Sequence, residues 1–215
     1  MFYNFTPMKP LLLEYIWTDL CSRYTADDAL VKSAYGQLVA AYGSEGRYYH
    51  TLTHIRNMIS SAFTHEALIQ DKDAFLFAIF FHDIVYDATA KDNEEKSARA
   101  AVDFLQKINF WEEELVTVAQ MILATKTHTP GDMPDTAMLL DIDLEVLGAD
   151  AATYRTYSEQ IRKEYAMYPD EVYNPGRKKV LEHFLEKPFI YATAAFREQL
   201  EIPARTNIEN EIATL

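Results

Sequence analysis

The run Ala74-Phe75-Leu76-Phe77-Ala78-Ile79-Phe80-Phe81, followed at once by His82-Asp83, limits this chain more than any other stretch. It is the longest uncharged apolar run and is far too short to span a bilayer, which needs about 20 residues. A helix over 74–86, capped by Asp71 or Asp73, would be apolar on every side. Such a helix has no face to offer water, so it belongs in the middle of a bundle, wrapped by other helices. The same run delivers an imidazole and a carboxylate to the edge of the core. A buried carboxylate costs several kcal/mol unless it is paired or bound to a metal. His82 and Asp83 are therefore the first candidates for a site.

The rest of the chain supplies the wrapping helices. Residues 10–24 place Leu12, Leu13, Ile16, Trp17 and Leu20 on one face, and residues 28–42 repeat the pattern with Leu30, Ala34, Leu38 and Ala41. Gly43-Ser44-Glu45-Gly46 breaks the period. From Thr51, a suitable N-cap, a helix is expected to about Gln70 with Ile55, Met58, Ile59, Ala62 and Phe63 inward. Further helices are expected over 94–108 (capped by Asp92 or Asn93), 112–125, 136–147 (ended by Gly148), 151–168, 177–186 and 189–200. Pro169, Pro175-Gly176 and Pro203 read as punctuation, with a short tail after the last. Glycine is scarce, 6 residues in 215, which disfavours a hairpin-rich fold. With no strand alternation, internal repeat, low-complexity segment or linker, the expectation is a single all-α domain over 1–215.

Charge and cysteine content narrow the partners. Twenty Lys and Arg against 33 Asp and Glu give a net charge of −13. That balance disfavours nucleic acid and anionic membrane. It leaves room for a small anionic substrate, because a local metal or arginine cluster reverses the field inside a cleft. One cysteine, Cys21, excludes an intrachain disulfide and a cysteine-rich zinc site. The N-terminal stretch MFYNFTPMKPLLLEYI shows no signal-peptide pattern. A cytoplasmic protein is expected.

Other candidates line up with His82-Asp83. His50 and His54, four residues apart, share one helical face about a turn apart. Asp141 and Asp143 sit among apolar residues, and positions i and i+2 of a helix face well apart, so one of them suffices as a ligand. His and Asp are ligands that first-row divalent ions accept in mixed N/O sites. His128, just after the helix of 112–125, could add a second-metal ligand or hydrogen-bond a substrate oxygen. For a small anionic substrate, Arg47, Lys126, Arg162 and Arg177 are the candidate cations.

The ordered set His54, His82-Asp83 and Asp143 resembles the signature of the HD superfamily of metal-dependent phosphohydrolases. The surrounding stretches Arg47-Tyr48-Tyr49-His50, Phe81-His82-Asp83-Ile84-Val85-Tyr86, Asp92-Asn93-Glu94 and Leu140-Asp141-Ile142-Asp143-Leu144 are similar to an uncharacterised bacterial branch of it, over roughly residues 10–200. The resemblance implies an HD-type helical bundle with a divalent ion (Mn, Mg, Co, Fe, Ni or Zn) between central helices, held by His54, His82, Asp83 and Asp143. It favours Asp143 over Asp141. Tyr49-His50-x-x-x-His54 also resembles the corresponding motif of the superfamily's cyclic-nucleotide phosphodiesterases, in which the first histidine is a general acid. Those enzymes usually carry Asn where this chain has Thr51, so the likeness informs roles and not the substrate. Carried over, His50 is the acid and His54 holds the ion; Asp83 is expected at the reaction centre as well as at the metal, and Glu94 is a separate candidate, either behind the ligands or orienting water. The expected substrate is a small phosphate ester or anhydride, with a nucleotide as the leading case. The alternatives are an HD-type di-iron oxygenase using His128 and a non-catalytic nucleotide sensor.

Overall fold

The computed structural model describes residues 11–215. Met1–Pro10, the first part of the stretch read for a signal peptide, lie outside the described residues, as do the first residue of the helix expected over 10–24 and the Leu12 side chain. Among the described residues ten α-helices follow one another: α1 (Leu11–Ser22), α2 (Asp28–Tyr42), α3 (Leu52–Thr64), α4 (Lys72–Phe81), α5 (Asn93–Lys107), α6 (Glu112–Ala124), α7 (Pro134–Asp143), α8 (Ala151–Glu164), α9 (Asp170–Glu186) and α10 (Ala194–Ile212). Short 3-10 turns cover Glu66–Leu68 and Glu145–Gly148. There is no strand among the described residues. The all-α expectation holds. No helix of the described chain is long and apolar enough to cross a membrane.

Local chemistry sets many of the helix starts. The side chains of Asp27, Thr51, Asp71 and Asp150 accept from the first-turn amides of α2, α3, α4 and α8. Each such cap contributes about 1 kcal/mol. Helix α4 is the hub: Ala74 through Phe81 are all buried, and the helix packs against α3, α5, α6 and α7. Trp17 of α1, fully buried, meets Phe77, Phe80 and Phe81 of α4 and Phe104 of α5. Its indole N–H donates to the Val31 carbonyl, so burying the ring strands no polar group. Tyr42 donates to the Phe80 carbonyl, satisfying one acceptor near the end of α4.

Several boundaries differ from the sequence reading. Helix α3 stops at Thr64 instead of Gln70, and Phe63 is 48% exposed instead of inward. Helix α4 ends at Phe81, and residues 82–85 form a turn whose carbonyls at Asp83 and Ile84 are taken by Arg47. Pro175-Gly176 and Pro203 do not punctuate: α9 runs through the first and α10 through the second. A proline inside a helix loses one hydrogen bond and costs about 3 kcal/mol. Tertiary contacts offset that cost. Beyond Pro203, Ala204, Asn207, Ile208 and Glu211 are all buried. Asn207 donates to the carbonyls of Leu147 and Ala149. Residues 189–193, expected to be helical, are not. Glu201 accepts the Ile190 and Tyr191 amides, and Asp141 accepts those of Ala192 and Thr193. Gly148 lets α10 approach closely, since a Cβ there would sit 2.6 Å from Leu200 Cβ.

Candidate metal centre

Three helix ends bring the ligand-type residues together. His54 is in the first turn of α3, His82 caps the C-terminus of α4, and Asp143 is the last residue of α7. His54 Nε2 lies 3.1 Å from Asp143 Oδ1 and 3.3 Å from His82 Nε2, and the His82–Asp143 separation is 3.7 Å. A divalent ion with ligands at about 2.0–2.2 Å needs neighbouring ligand atoms about 2.9–3.6 Å apart for octahedral to tetrahedral angles. The three side chains already stand at nearly those spacings, so the donor set and its geometry fit a metal ion. His82 Nδ1 is 2.9 Å from the Ile79 carbonyl, an obligate acceptor, so the N–H is on Nδ1 and Nε2 faces the group.

Asp83 flanks the group. Its Oδ2 lies 3.0 Å from His82 Nε2 and 3.9 Å from His50 Nε2. Asp141 is turned away: both its oxygens accept from the amides of Ala192 and Thr193, which makes it the anchor of the segment entering α10. His128 adopts a left-handed backbone, φ 49°, four residues past the end of α6. Its Nε2 stands 3.2 Å from Asp143 Oδ2 and its ring packs on Phe184.

Charges in this cluster tune one another. Burial opposes the charge on His82, but Asp83 and Asp143 outweigh it and push the pKa up to about 9. For Asp83, burial is opposed by His82 and His50, which hold the carboxyl well below its ordinary range. Burial also works against ionised Asp143, yet hydrogen bonds from His128 and His54 keep it ionised. His54 is shifted down, chiefly by burial.

His50 sits one turn before His54, stacked on Tyr86 with ring centroids 4.3 Å apart. Its Nδ1 is 2.6 Å from Oε2 of Glu164, the last residue of α8. Glu164 was not singled out from the sequence, and it is the most heavily bonded carboxylate near the site. Its Oε1 accepts the backbone amides of Tyr48, Tyr49 and His50, and its Oε2 takes His50 Nδ1–H and the Tyr86 hydroxyl. Burial opposes its charge, but His50 and these donors bring its pKa down to about 2. For His50 the cost of burial is more than offset by Asp83 and Glu164, so its pKa is raised.

The remaining candidates divide. Arg47 is engaged by backbone: Nη1 and Nη2 donate to the carbonyls of His50, Asp83 and Ile84, tying the loop before α3 to the turn after α4. Arg162 bonds the Tyr165 and Tyr168 carbonyls and pairs with Asp170, closing the end of α8. Glu94, in the first turn of α5, neither joins the cluster nor lines the adjoining cavity. Lys126 and Arg177 do line that cavity, but Lys126 is bound to Glu95 and the Lys91 carbonyl. Arg177 is held in two bonds by Glu211. The cavity itself, about 920 Å³, opens beside Tyr49, His50, His128 and Asp143.

Comparison of the chain with family models, with characterised proteins and with solved structures gives no match.

Proposed function

We propose that the protein is a metal-dependent phosphohydrolase of HD type that cleaves a phosphate ester or anhydride of a small molecule. One observation carries the reading. A histidine held by a buried carboxylate stands on the cavity wall next to a His/Asp group whose spacing suits a divalent ion. When bound, such an ion supplies Lewis acidity for the phosphoryl group and for the attacking water. His54, His82 and Asp143 would hold it, with Asp83 alongside.

The chain's own residues do the rest. Glu164 fixes the His50 proton on Nδ1 and favours the imidazolium, leaving Nε2–H to donate to the departing ester oxygen. Asp83, kept ionised by His82 and His50, accepts a hydrogen bond from the incoming water and orients it. Arg47 contributes by pinning the turn that carries Asp83. The free thiol of Cys21 is buried, which suits a cytoplasmic setting.

The test is metal content of the purified protein, followed by phosphate release from a panel of phosphate esters with Mn²⁺, Mg²⁺ or Co²⁺ added. The reading expects a bound ion and metal-dependent release. Protein that takes up no ion, or that takes one up and releases no phosphate from any ester, sinks it. The His128–Asp143 contact favours one second reading, a di-iron oxygenase. Two irons per chain with a visible iron–oxygen band would support that reading instead.

A further inference from the structure

We propose that the tyrosine-walled chamber beside the His/Asp group holds an apolar substrate body, so that the molecule turned over is an amphiphile, a phosphate carried on an aryl or alkyl group. We assign Gly176 as the notch that admits this body. The inference rests on the phosphohydrolase reading and specifies its substrate.

Size comes first. At about 920 Å³ the chamber is far larger than a phosphate needs and lies within the ~300–1,000 Å³ range of small-molecule sites. It is continuous with the reaction centre, since His50, His128 and Asp143 form part of its wall.

The wall chemistry then selects the body. Six tyrosines (49, 86, 157, 165, 168 and 173) present rings, and Leu144, Leu147 and Ile161 are among the aliphatic residues between them. No Asn, Gln or Ser lines the chamber. Of its cations, Arg177 is engaged by Glu211, Lys126 by Glu95, and Lys179 is exposed. Reading the edges of a nucleobase or the hydroxyls of a sugar takes placed hydrogen-bonding groups. The other polar side chains of the lining outside the reaction centre, Thr127, Glu182, His183 and Glu186, are likewise exposed, and the less exposed wall is ring and aliphatic surface with the tyrosine hydroxyls. Apolar surface transferred into it is favoured at about 25 cal/mol per Å².

The rim points the same way. On α9, Val172, Gly176 and Val180 follow at one residue per turn along the chamber's edge. The two valines remain 54% and 50% exposed, apolar surface left at the mouth. Between them Gly176 leaves a gap. A Cβ built there meets nothing within 4 Å, and the backbone is not left-handed. Neither packing nor conformation calls for glycine at this place, although glycine weakens a helix by about 1 kcal/mol relative to alanine.

The test is calorimetric binding of ethyl-, butyl-, hexyl- and octylphosphonate, which are not hydrolysed, with adenosine monophosphate as the polar-bodied comparator. Each is measured on the full chain with and without Mn²⁺. Affinity should rise about fourfold per methylene until the chamber is filled. G176L and G176W should flatten that slope. A flat series on the unsubstituted protein overturns the inference without reference to any variant. So does adenosine monophosphate binding more tightly than hexylphosphonate. The parent reading fails separately: if the phosphonates show the slope and no alkyl phosphate is hydrolysed, the chamber's preference stands and the hydrolase does not. If alkyl phosphates are hydrolysed with kcat/KM independent of chain length, the hydrolase stands and the amphiphilic substrate does not.

Discussion

Replacing Glu164 by alanine tests whether one buried carboxylate organises the catalytic edge of the site. The side chain is wholly buried and accepts from the Tyr48, Tyr49 and His50 amides, the His50 ring and the Tyr86 hydroxyl. Alanine strands those donors and takes from His50, 20% exposed on the cavity wall, its nearest carboxylate. Breaking a buried, hydrogen-bonded charge pair from one side costs about 3–5 kcal/mol. Glutamine at this position keeps an oxygen for the three amides and loses only the acceptor for His50 and Tyr86, at about 1–3 kcal/mol. Urea unfolding reads both. With a slope of about 2–3 kcal/mol per molar, the E164A midpoint should fall by about 1–2 M and that of E164Q by less. The effect has a pH signature. The folded carboxyl titrates at about 2 and an unfolded one at about 4.3. A depressed folded pKa adds stability above the unfolded value, and that stability drains away as pH falls from about 4.3 toward 2. The gap between wild type and E164A should therefore narrow across that window. Nitrogen NMR of His50 gives a second readout: in E164Q the imidazolium should lose its Nδ1 proton and leave a neutral ring protonated on Nε2. An E164A midpoint within about 0.3 M of wild type, or an Nδ1 that stays protonated in E164Q, refutes the role assigned to Glu164.

Three further outcomes follow from the geometry. His82→Ala should abolish metal binding while circular dichroism retains the helical signal, and full metal stoichiometry in the variant would remove His82 from the site. Asp143→Asn should lose more metal affinity than Asp141→Asn, whereas Asp141→Asn should cost stability, about 1–3 kcal/mol, by weakening the acceptor for the Ala192 and Thr193 amides; the reverse ranking of affinities would exchange their roles. Metal uptake should release a proton from His82, whose pKa is raised to about 9, so affinity measured by competition should climb about tenfold per pH unit on approaching that value. The sign for the metal-free fold is opposite: a raised folded pKa adds stability below about 6.5 that is lost as pH rises through 9, and an apo-protein that grows more stable between pH 7 and 9 contradicts the assignment.

Short-range chemistry was legible in the sequence. The Thr51 cap and Asp71, one of the two caps expected for α4, depend on amides two or three residues away, and both operate, whereas Asp92 makes no capping bond to α5. The central place of α4 follows from composition alone, because a helix apolar on all sides has nowhere else to go. That composition also set His82 at the edge of the core, and the spaced His and Asp residues named the group that now stands together. Tertiary structure decided the rest. Glu164 meets His50 across 114 residues and resembles any charged residue of an amphipathic helix until α8 is docked. Arg47 and Arg162 were plausible phosphate ligands by residue type, but a guanidinium satisfies whichever acceptors packing brings near, and here those are mainly backbone carbonyls. Pro175 and Pro203 read as stops because their local cost is fixed at about 3 kcal/mol. The burial that offsets it at α10 comes from Leu147, Ala149, Tyr154 and Arg177, residues no nearby spacing reveals. Sequence determined what is written within a turn or two of helix and in the apolar balance of each segment. Which polar group finds which partner was decided only when the helices packed, because burial makes an unpaired charge or amide too costly to leave and the partners lie far apart along the chain.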